Sequence, residues 1–474
     1  MRTFRVTRVH WFRRDLRLAD NPALSAAAAD GDLVAVFCLD ESLFAGRHAS
    51  PRRNAFLRGC LESLAADLTA RGSRLVVLGG KPHEEIPRIV AEVGATAVHA
   101  HADVGPYARR RDELVAAALG AVPLHLHPGL CALDDLDALR GSTDGPLTIF
   151  TPFYRRWLLA QRRPVLEVPV LSSASSYAGM GVPFLAVLGD APVREWAVGE
   201  EAANDRLAHF LATDADNYAD KQNQLMPLAT SGLSPYLHLG VISPRQIEDA
   251  LTDRAAHEKF RRQVAWRDFY QYVLLHFPEN ATLEFQQRFR VLQWRDDDEL
   301  FAAWCEGRTG YPIIDAAMRQ LATEGYLPNR ARLIVGSFLT KHLGVDWRLG
   351  ERWFMRQLYD GDEASNNGNW QWIASVGVDP APMARRLYNP SLQQDRHDES
   401  GAYVRHYCPE LAGVPREFLS HPWDMPPLLQ VEVGCVIGED YPDPIVDHAH
   451  ARREAFERFA AARDEAVDPR AVRR

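Results

Sequence analysis

Lysine is nearly missing from this sequence: four residues stand against 50 arginines. Its six cysteines, Cys38, Cys60, Cys131, Cys305, Cys408 and Cys435, form no CxxC pair. That argues against a disulfide framework, a zinc knuckle or an iron-sulfur cluster. No run of 18 or more apolar residues occurs, and the N-terminal MRTFRVTRVHWFRR has no continuous apolar core. Neither a membrane span nor a secretory signal is therefore expected, and the expected compartment is the cytoplasm. No GxGxxG follows the first apolar run, and Gly179-Met180-Gly181 is too short to count. What is present is ordinary for a globular chain: 474 residues, 46% hydrophobic and 25% charged, enough for two or three domains. A net charge of -9 speaks against a nucleic-acid partner on its own. Averages conceal patches, however, and Arg308 to Arg356 holds eight Arg or Lys against four Asp or Glu.

Residues 1–130 alternate apolar runs at Val6 to Phe12, Leu33 to Leu39, Arg74 to Leu78, Ala97 to Ala100 and Val122 to Leu126 with amphipathic stretches. Helices are expected at Arg52 to Ala70, His83 to Val93 and Tyr107 to Leu119, which predicts a doubly wound, Rossmann-like α/β domain with a parallel sheet. Such sheets bind ligands at the carboxyl ends of their strands. Residues 131–200, rich in Pro, Ser, Ala and Gly, read as a connector. From 201 to 474 the rhythm is helical, with Ser234 before Pro235 and Ser243 before Pro244 expected at N-cap positions. This all-α half carries eight of the eleven tryptophans.

Three segments concentrate chemistry. Thr230, Ser231 and Ser234 surround Gly232 just before a helix start, where hydroxyls and free amides suit an anion. DGDEASNNGNWQW, from Asp360 to Trp372, is too polar for a core helix, and polar groups this dense usually face a ligand. Between them, Asn329, Arg330 and Arg332 open another helix, with Arg332 expected in register to pair with Asp360.

The ordered set VHWFRRDLRLADNPAL, TSGLSP, QVAWRDFY, TGYPIIDAAMRQL, NRAR, DWRLGERWFM, DGDEASNNGNWQW and YPDPIVDH resembles the DNA photolyase and cryptochrome family over essentially the whole chain. The likeness is strongest to bacterial class I cyclobutane pyrimidine dimer photolyases. It implies an antenna domain, a linker and a helical domain holding folded FAD. Light then drives an electron into a pyrimidine dimer of UV-damaged DNA, whose cyclobutane ring splits. By the same resemblance, Tyr218 and Thr230, Ser231, Gly232, Leu233 and Ser234 hold the FAD phosphates. Arg267, Asn329, Arg332, Asp360 and Asp362 surround isoalloxazine and adenine, and Asn366 lies beside the flavin's central-ring nitrogen. Trp370, Trp347 and Trp294 match a chain that carries electrons between flavin and surface. Trp266 and Trp372 match the indoles that grip a flipped-out dimer, an arrangement that offsets the lost base stacking. Gln263, Asn329, Arg330, Leu333 and Gln393 fall toward the lesion and the DNA.

For the antenna, DVGPY at Asp103 resembles deazaflavin-binding relatives, and Arg53 falls where they present an arginine. Tyr107 and Ala108 replace the Asn-Glu pair of folate-binding relatives. The resemblance thus implies 8-hydroxy-5-deazaflavin, with methenyltetrahydrofolate or no antenna as the alternative. The chain departs from the family at Gln263 for Glu, Leu333 for Met, Pro328 for His, Tyr326 for Trp and Gln222 for Arg. These departures bear on repair efficiency and lesion preference. Pro328 and Asn329 also lack the His pair that a (6-4) photolyase needs. A blue-light sensor with the same flavin is the alternative function. Sensors usually carry a long C-terminal extension, whereas here the chain runs about 30 residues past Tyr441, and this with Asn366, Trp266 and Trp372 favours repair; a monomer is expected.

Overall fold

The computed structural model describes residues 6–467 except 30, 142–143, 173–178, 191–195, 228–229 and 253. The chain divides into two compact units. One comprises Met1–Ala219, Ser231–Pro278 and Tyr359–Ser365; the other comprises Asp220–Thr230, Glu279–Leu358 and Asn366–Arg474.

The first unit is built on five parallel strands: β1 (Val6–Phe12), β2 (Gly31–Leu39), β3 (Leu75–Gly79), β4 (Ala97–His101) and β5 (Leu124–His127). Their order is β3-β2-β1-β4-β5, so the sheet reverses direction of growth between β1 and β4. That switch point opens a crevice past the carboxyl ends of the two strands. It places Arg13 to Asp15 and Ala102 to Gly105 there. The inner strands are near-continuous apolar runs because both of their faces are buried, whereas the edge strand β5 reads LHLH and is partly solvated.

Helices α1 (Pro22–Ala28), α2 (Pro51–Ala70), α3 (Pro82–Val93) and α4 (Pro106–Leu119) each begin with proline. Proline lacks only an N–H that the first turn leaves unpaired anyway. Asn21 and Ser50 add side-chain caps on α1 and α2. The apolar-run reading overlooked α1 although Asn-Pro announces it. Within the expected connector, α5 (Phe150–Leu159) is a regular helix that buries Phe150, Phe153, Tyr154 and Trp157. Its aromatic stripe outweighs the loop-like composition around it. The unit continues through α6 (Gly199–Thr213), α7 (Ser234–Leu239), α8 (Pro244–Ala250) and the 19-residue α9 (Glu258–His276). Ser243 caps α8 as expected, in a reciprocal box with Gln246.

Ser234 does not cap α7. Leu233 precedes the helix with φ -84° and ψ -9°, already helical, so no extended residue aims a hydroxyl back at the first amides. The Ser234 hydroxyl instead donates to Asp360 Oδ2 at 2.6 Å.

The second unit is helical. It includes α10 (Pro312–Glu324), α11 (Asn329–Ser337), α12 (Trp347–Gln357), α14 (Pro390–His397) and α15 (His448–Val467), with α13 (Glu363–Ala374) contributing its residues from Asn366 onward. Among the described residues no named strand follows β5, in keeping with the helical periodicity. Trp304, Phe338, Trp347, Phe354, Trp370 and Tyr403 form part of its core. No helix among the described residues is long and apolar enough to cross a membrane.

Candidate functional site

In the first unit, α9 sets Gln263, Trp266, Arg267 and Gln271 at spacings of three, four and eight, which is one helix face. The ring of Trp266 lies parallel on Phe150, with centroids 3.8 Å apart and planes 6° apart. Arg267 donates to Leu130 O at 2.6 Å and Leu237 O at 3.5 Å, tying α9 to a loop and to α7. Gln271 Nε2 donates to both oxygens of Asp362, at 3.1 and 3.3 Å.

Asp362 is buried and also accepts from Ser365 N at 2.8 Å and from Arg14 Nη2. Burial would push its carboxyl up, but Arg14 and then Arg267 outweigh that and hold it well below the usual carboxylate range. Two polar atoms of this neighbourhood, the Gln271 Oε1 acceptor and His238 Nδ1, are buried without a hydrogen-bond partner. Burial together with Arg14 and Arg53 drives His238 far below the usual imidazole range, so it is neutral. Orphaned acceptors this deep are costly unless a donor arrives. The imide, amino and ribose groups of FAD are donors of the kind they lack.

The turn before α7 is shaped by Gly232. Its φ is +60°, and a Cβ there would meet the Arg206 guanidinium at 2.2 Å. Arg206 Nε donates to Ser231 O at 2.9 Å, and Ser231 Oγ accepts from Leu233 N at 3.3 Å. Tyr218 is buried against Phe210 and Phe260. The two expected antenna residues already engage protein groups. Asp103 bonds Arg14 at 3.4 Å and Gly105 N at 3.1 Å. Arg53 donates to His48 O, and burial pushes its pKa down to about 10 against the pull of Asp360.

In the second unit, Trp370, Trp347 and Trp294, the three tryptophans expected to form a chain, follow one another through backbone neighbours. A Cβ on Gly350 would lie 2.3 Å from Trp370 Cη2, so the Trp370 indole rests directly on α12, one turn from Trp347. Arg295 N in turn donates to Gly344 O at 2.8 Å, and Arg295 bridges Val345. That bridge brings the Trp294 segment beside the start of α12. Trp370 and Trp347 are buried while Trp294 is half-exposed, so the series runs from interior to surface. The Trp347 indole donates to Glu284 at 3.3 Å. Trp304 and Phe354 hold Trp370 edge-on at 6.1 and 5.0 Å.

Asn366 spends its amide on Glu351, donating to the main-chain oxygen and to Oε1, both at 3.0 Å. What it can still offer is its carbonyl oxygen, an acceptor. The guanidinium of Arg386 lies 3.8 Å over the Trp372 ring and also bonds Trp372 O at 2.9 Å. Thr230 Oγ1 meets the Tyr326 hydroxyl at 3.5 Å, and Arg332 Nε donates to Leu327 O at 2.6 Å. Asn329 opens α11 exposed, Arg330 grips Asn223 Oδ1 through two nitrogens, Leu333 packs on the core and Gln393 is buried on α14. Among the described residues no cluster of three or more His, Cys, Asp or Glu side chains could hold a metal ion.

The family model described as DNA photolyase matches residues 8–170, and the FAD binding domain of DNA photolyase matches residues 260–461. A Synechococcus protein named deoxyribodipyrimidine photo-lyase is 38% identical over 94% of this chain and 94% of its own. The chain belongs to the DNA photolyase family. The photolyase fold extends over its full course: a bacterial class III photolyase from Agrobacterium tumefaciens superposes with a TM-score of 0.90 at 33% identity, covering 98% of this chain and 99% of that one. A Synechocystis cryptochrome gives 0.87 at 28%, covering 96% and 100%.

Several residues of this photolyase-family chain that touch the expected site were not singled out from sequence: Arg14, His238, Gln271, Gly350, Glu351 and Arg386. Arg14 had a signal, since it lies inside FRRDLR, within the first of the ordered family-like segments. Glu351 had none, because nothing in the sequence ties it to Asn366.

Proposed function

We propose that this chain is a blue-light-driven lyase that splits cyclobutane pyrimidine dimers in UV-damaged DNA and carries FAD, acting as a monomer in the cytoplasm. Bound FAD supplies the light-absorbing group and the electron that the dimer receives. The observation that carries the reading is the Asn366–Glu351 pair. An amide whose hydrogens are both committed presents an oxygen, which suits a protonated ring nitrogen of reduced flavin. Asp362, with Gln271 and the neutral His238 beside it, supplies acceptors for donor groups of FAD. Arg267, Asn329, Arg332 and Asp360 are assigned to the flavin and adenine, and Tyr218 with residues 230–234 to the phosphates, by the family resemblance.

Trp370, Trp347 and Trp294 conduct electrons inward from the surface. Trp266 and Trp372 offer flat surfaces to extruded bases. Phe150 and Arg386 back one face of each, so their stacking planes are set before DNA arrives. Arg330, Leu333, Gln393 and Gln263 complete the lesion and DNA contacts. The antenna assigned to Arg53 and Asp103 is 8-hydroxy-5-deazaflavin, in preference to methenyltetrahydrofolate or none. Illumination of the purified, reduced protein with dimer-containing DNA tests the reading, with loss of dimers expected. Retained dimers under blue light, with flavin bound, would favour a sensor, the function for which the similarity to a cryptochrome speaks.

A further inference from the structure

Arg14 lies two residues past β1, and Asp103 lies two residues past β4, so the switch point of the sheet brings them to the same crevice. The guanidinium serves three elements at once. Nη1 reaches Asp103 Oδ2 at 3.4 Å, Nη2 bonds Asp362 Oδ2, and Nε donates to His238 O at 3.1 Å. Both carboxylates are largely buried, with side-chain exposures of 14% and 7%. Burial opposes the charge on each, and Arg14 leads the charges that keep each ionised, Asp103 also drawing on Arg111 and Arg13. Glu363 adds a third negative charge nearby.

One cation thus holds two carboxylates that belong to different ligand sites. We propose that Arg14 is a positioning residue shared by the FAD site and the strand-end crevice, so that whatever engages Asp103 changes the affinity for FAD. The inference rests on the assignment of Asp362 to FAD. Its physics is simple: a guanidinium divided between two acids holds each less firmly than one acid alone. Removing the guanidinium leaves two like charges facing each other with no cation between them. Neutralising Asp103 then relieves Asp362. Linkage requires the effect to run both ways, so FAD would alter binding at Asp103 by the same factor.

The test measures FAD dissociation from purified holoprotein in the dark, read as the rise in flavin fluorescence on dilution. Arg14→Gln should raise the dissociation constant roughly tenfold or more, because it strips a buried carboxylate of its partner. Asp103→Asn should stay within about threefold of wild type, since Arg14 then serves Asp362 alone. The double variant should bind FAD at least about threefold more tightly than Arg14→Gln, a recovery that loss of a purely structural residue would not give. Arg14→Lys, whose single ammonium can serve one acid at a time, should fall between wild type and Arg14→Gln. If Arg14→Gln does not accumulate as folded protein, Asp103→Asn must tighten FAD binding in the Arg14→Lys background instead. Additive effects, or wild-type affinity in Arg14→Gln, would overturn the proposal. Asp362→Asn separates the two readings. Wild-type FAD affinity in that variant means that Asp362 is not a flavin contact, whereas weakened binding there with an unchanged Arg14→Gln refutes only the sharing of Arg14.

Discussion

Replacing Gly350 by alanine puts one methyl group against the inner end of the tryptophan relay. The added carbon would stand 2.3 Å from Trp370 Cη2 and 2.6 Å from both Trp370 Cζ3 and Leu339 Cδ2. Carbon atoms rest near 3.5–4.0 Å apart, so the indole or the helix must shift by more than about 1 Å. Little room exists for that shift. Trp370 is buried between Trp304 and Phe354, and on a further side a Cβ at Gly336 would stand only 3.6 Å from its Cζ3. Overpacking of this kind costs about 1–3 kcal/mol. Alanine regains roughly 1 kcal/mol of helix propensity over glycine. With close contacts on two residues the upper end of the packing cost applies, leaving a net loss of roughly 2 kcal/mol. Gly350→Ala should therefore melt a few degrees below wild type. It should also photoreduce oxidised flavin more slowly, because transfer between indoles is sensitive to their separation. Dimer splitting by chemically reduced enzyme should be spared, since that step does not draw on the relay. Thermal denaturation and the decay of the oxidised-flavin absorbance under blue light check both parts. A wild-type melting point together with a wild-type photoreduction rate would refute the placement of Trp370 on this helix face.

Acid should destabilise the first unit. Burial pushes the pKa of His101 down to about 3 and that of His99 down to about 4, while both rise to about 6.5 on unfolding. The unfolded chain therefore binds protons that the folded one refuses, and stability falls as pH drops below about 6.5. Because the unfolded imidazoles are half protonated at pH 6.5 and the slope then rises to about 1.4 kcal/mol per pH unit for each group, the two histidines remove roughly 3 kcal/mol between pH 6.5 and 5. Urea midpoints that do not change over that interval would contradict the burial of these imidazoles in neutral form. Trp266→Ala, in turn, should weaken binding to dimer-containing DNA about tenfold, the worth of one stacked base, with flavin content near normal. Equal affinity of wild type and variant in a gel-shift titration would remove Trp266 from the lesion surface.

Much of the architecture is local in origin and therefore readable. Strand β1 runs from Val6 to Phe12 as expected, because its buried second half, Val9 to Phe12, is mostly apolar and such a local pattern needs no partner to be recognised. The starts of α2, α3 and α4 are announced by prolines at the first helical position, where the missing N–H costs nothing. The resemblance of ordered motifs identified the family for the same reason: a motif is a property of neighbours in sequence. Partner choice is different. Ser234 looked like a cap, but its hydroxyl donates to Asp360, 126 positions away, because the local backbone does not aim the first amides at its oxygen while the fold brings a carboxylate acceptor within reach. Arg14 and Asp362 lie 348 positions apart and bond only because they belong to one folded unit, in which the strand order delivers Arg14 to the sheet's switch point. The amide of Asn366 is turned by Glu351 on a different helix, and Trp370 is seated by the absence of a side chain at Gly350. The sequence alone thus determined which elements form and to which family they belong. Which side of a polar group faces the ligand was decided by tertiary structure, because a donor or acceptor commits to whichever partner the closed chain places within about 3 Å.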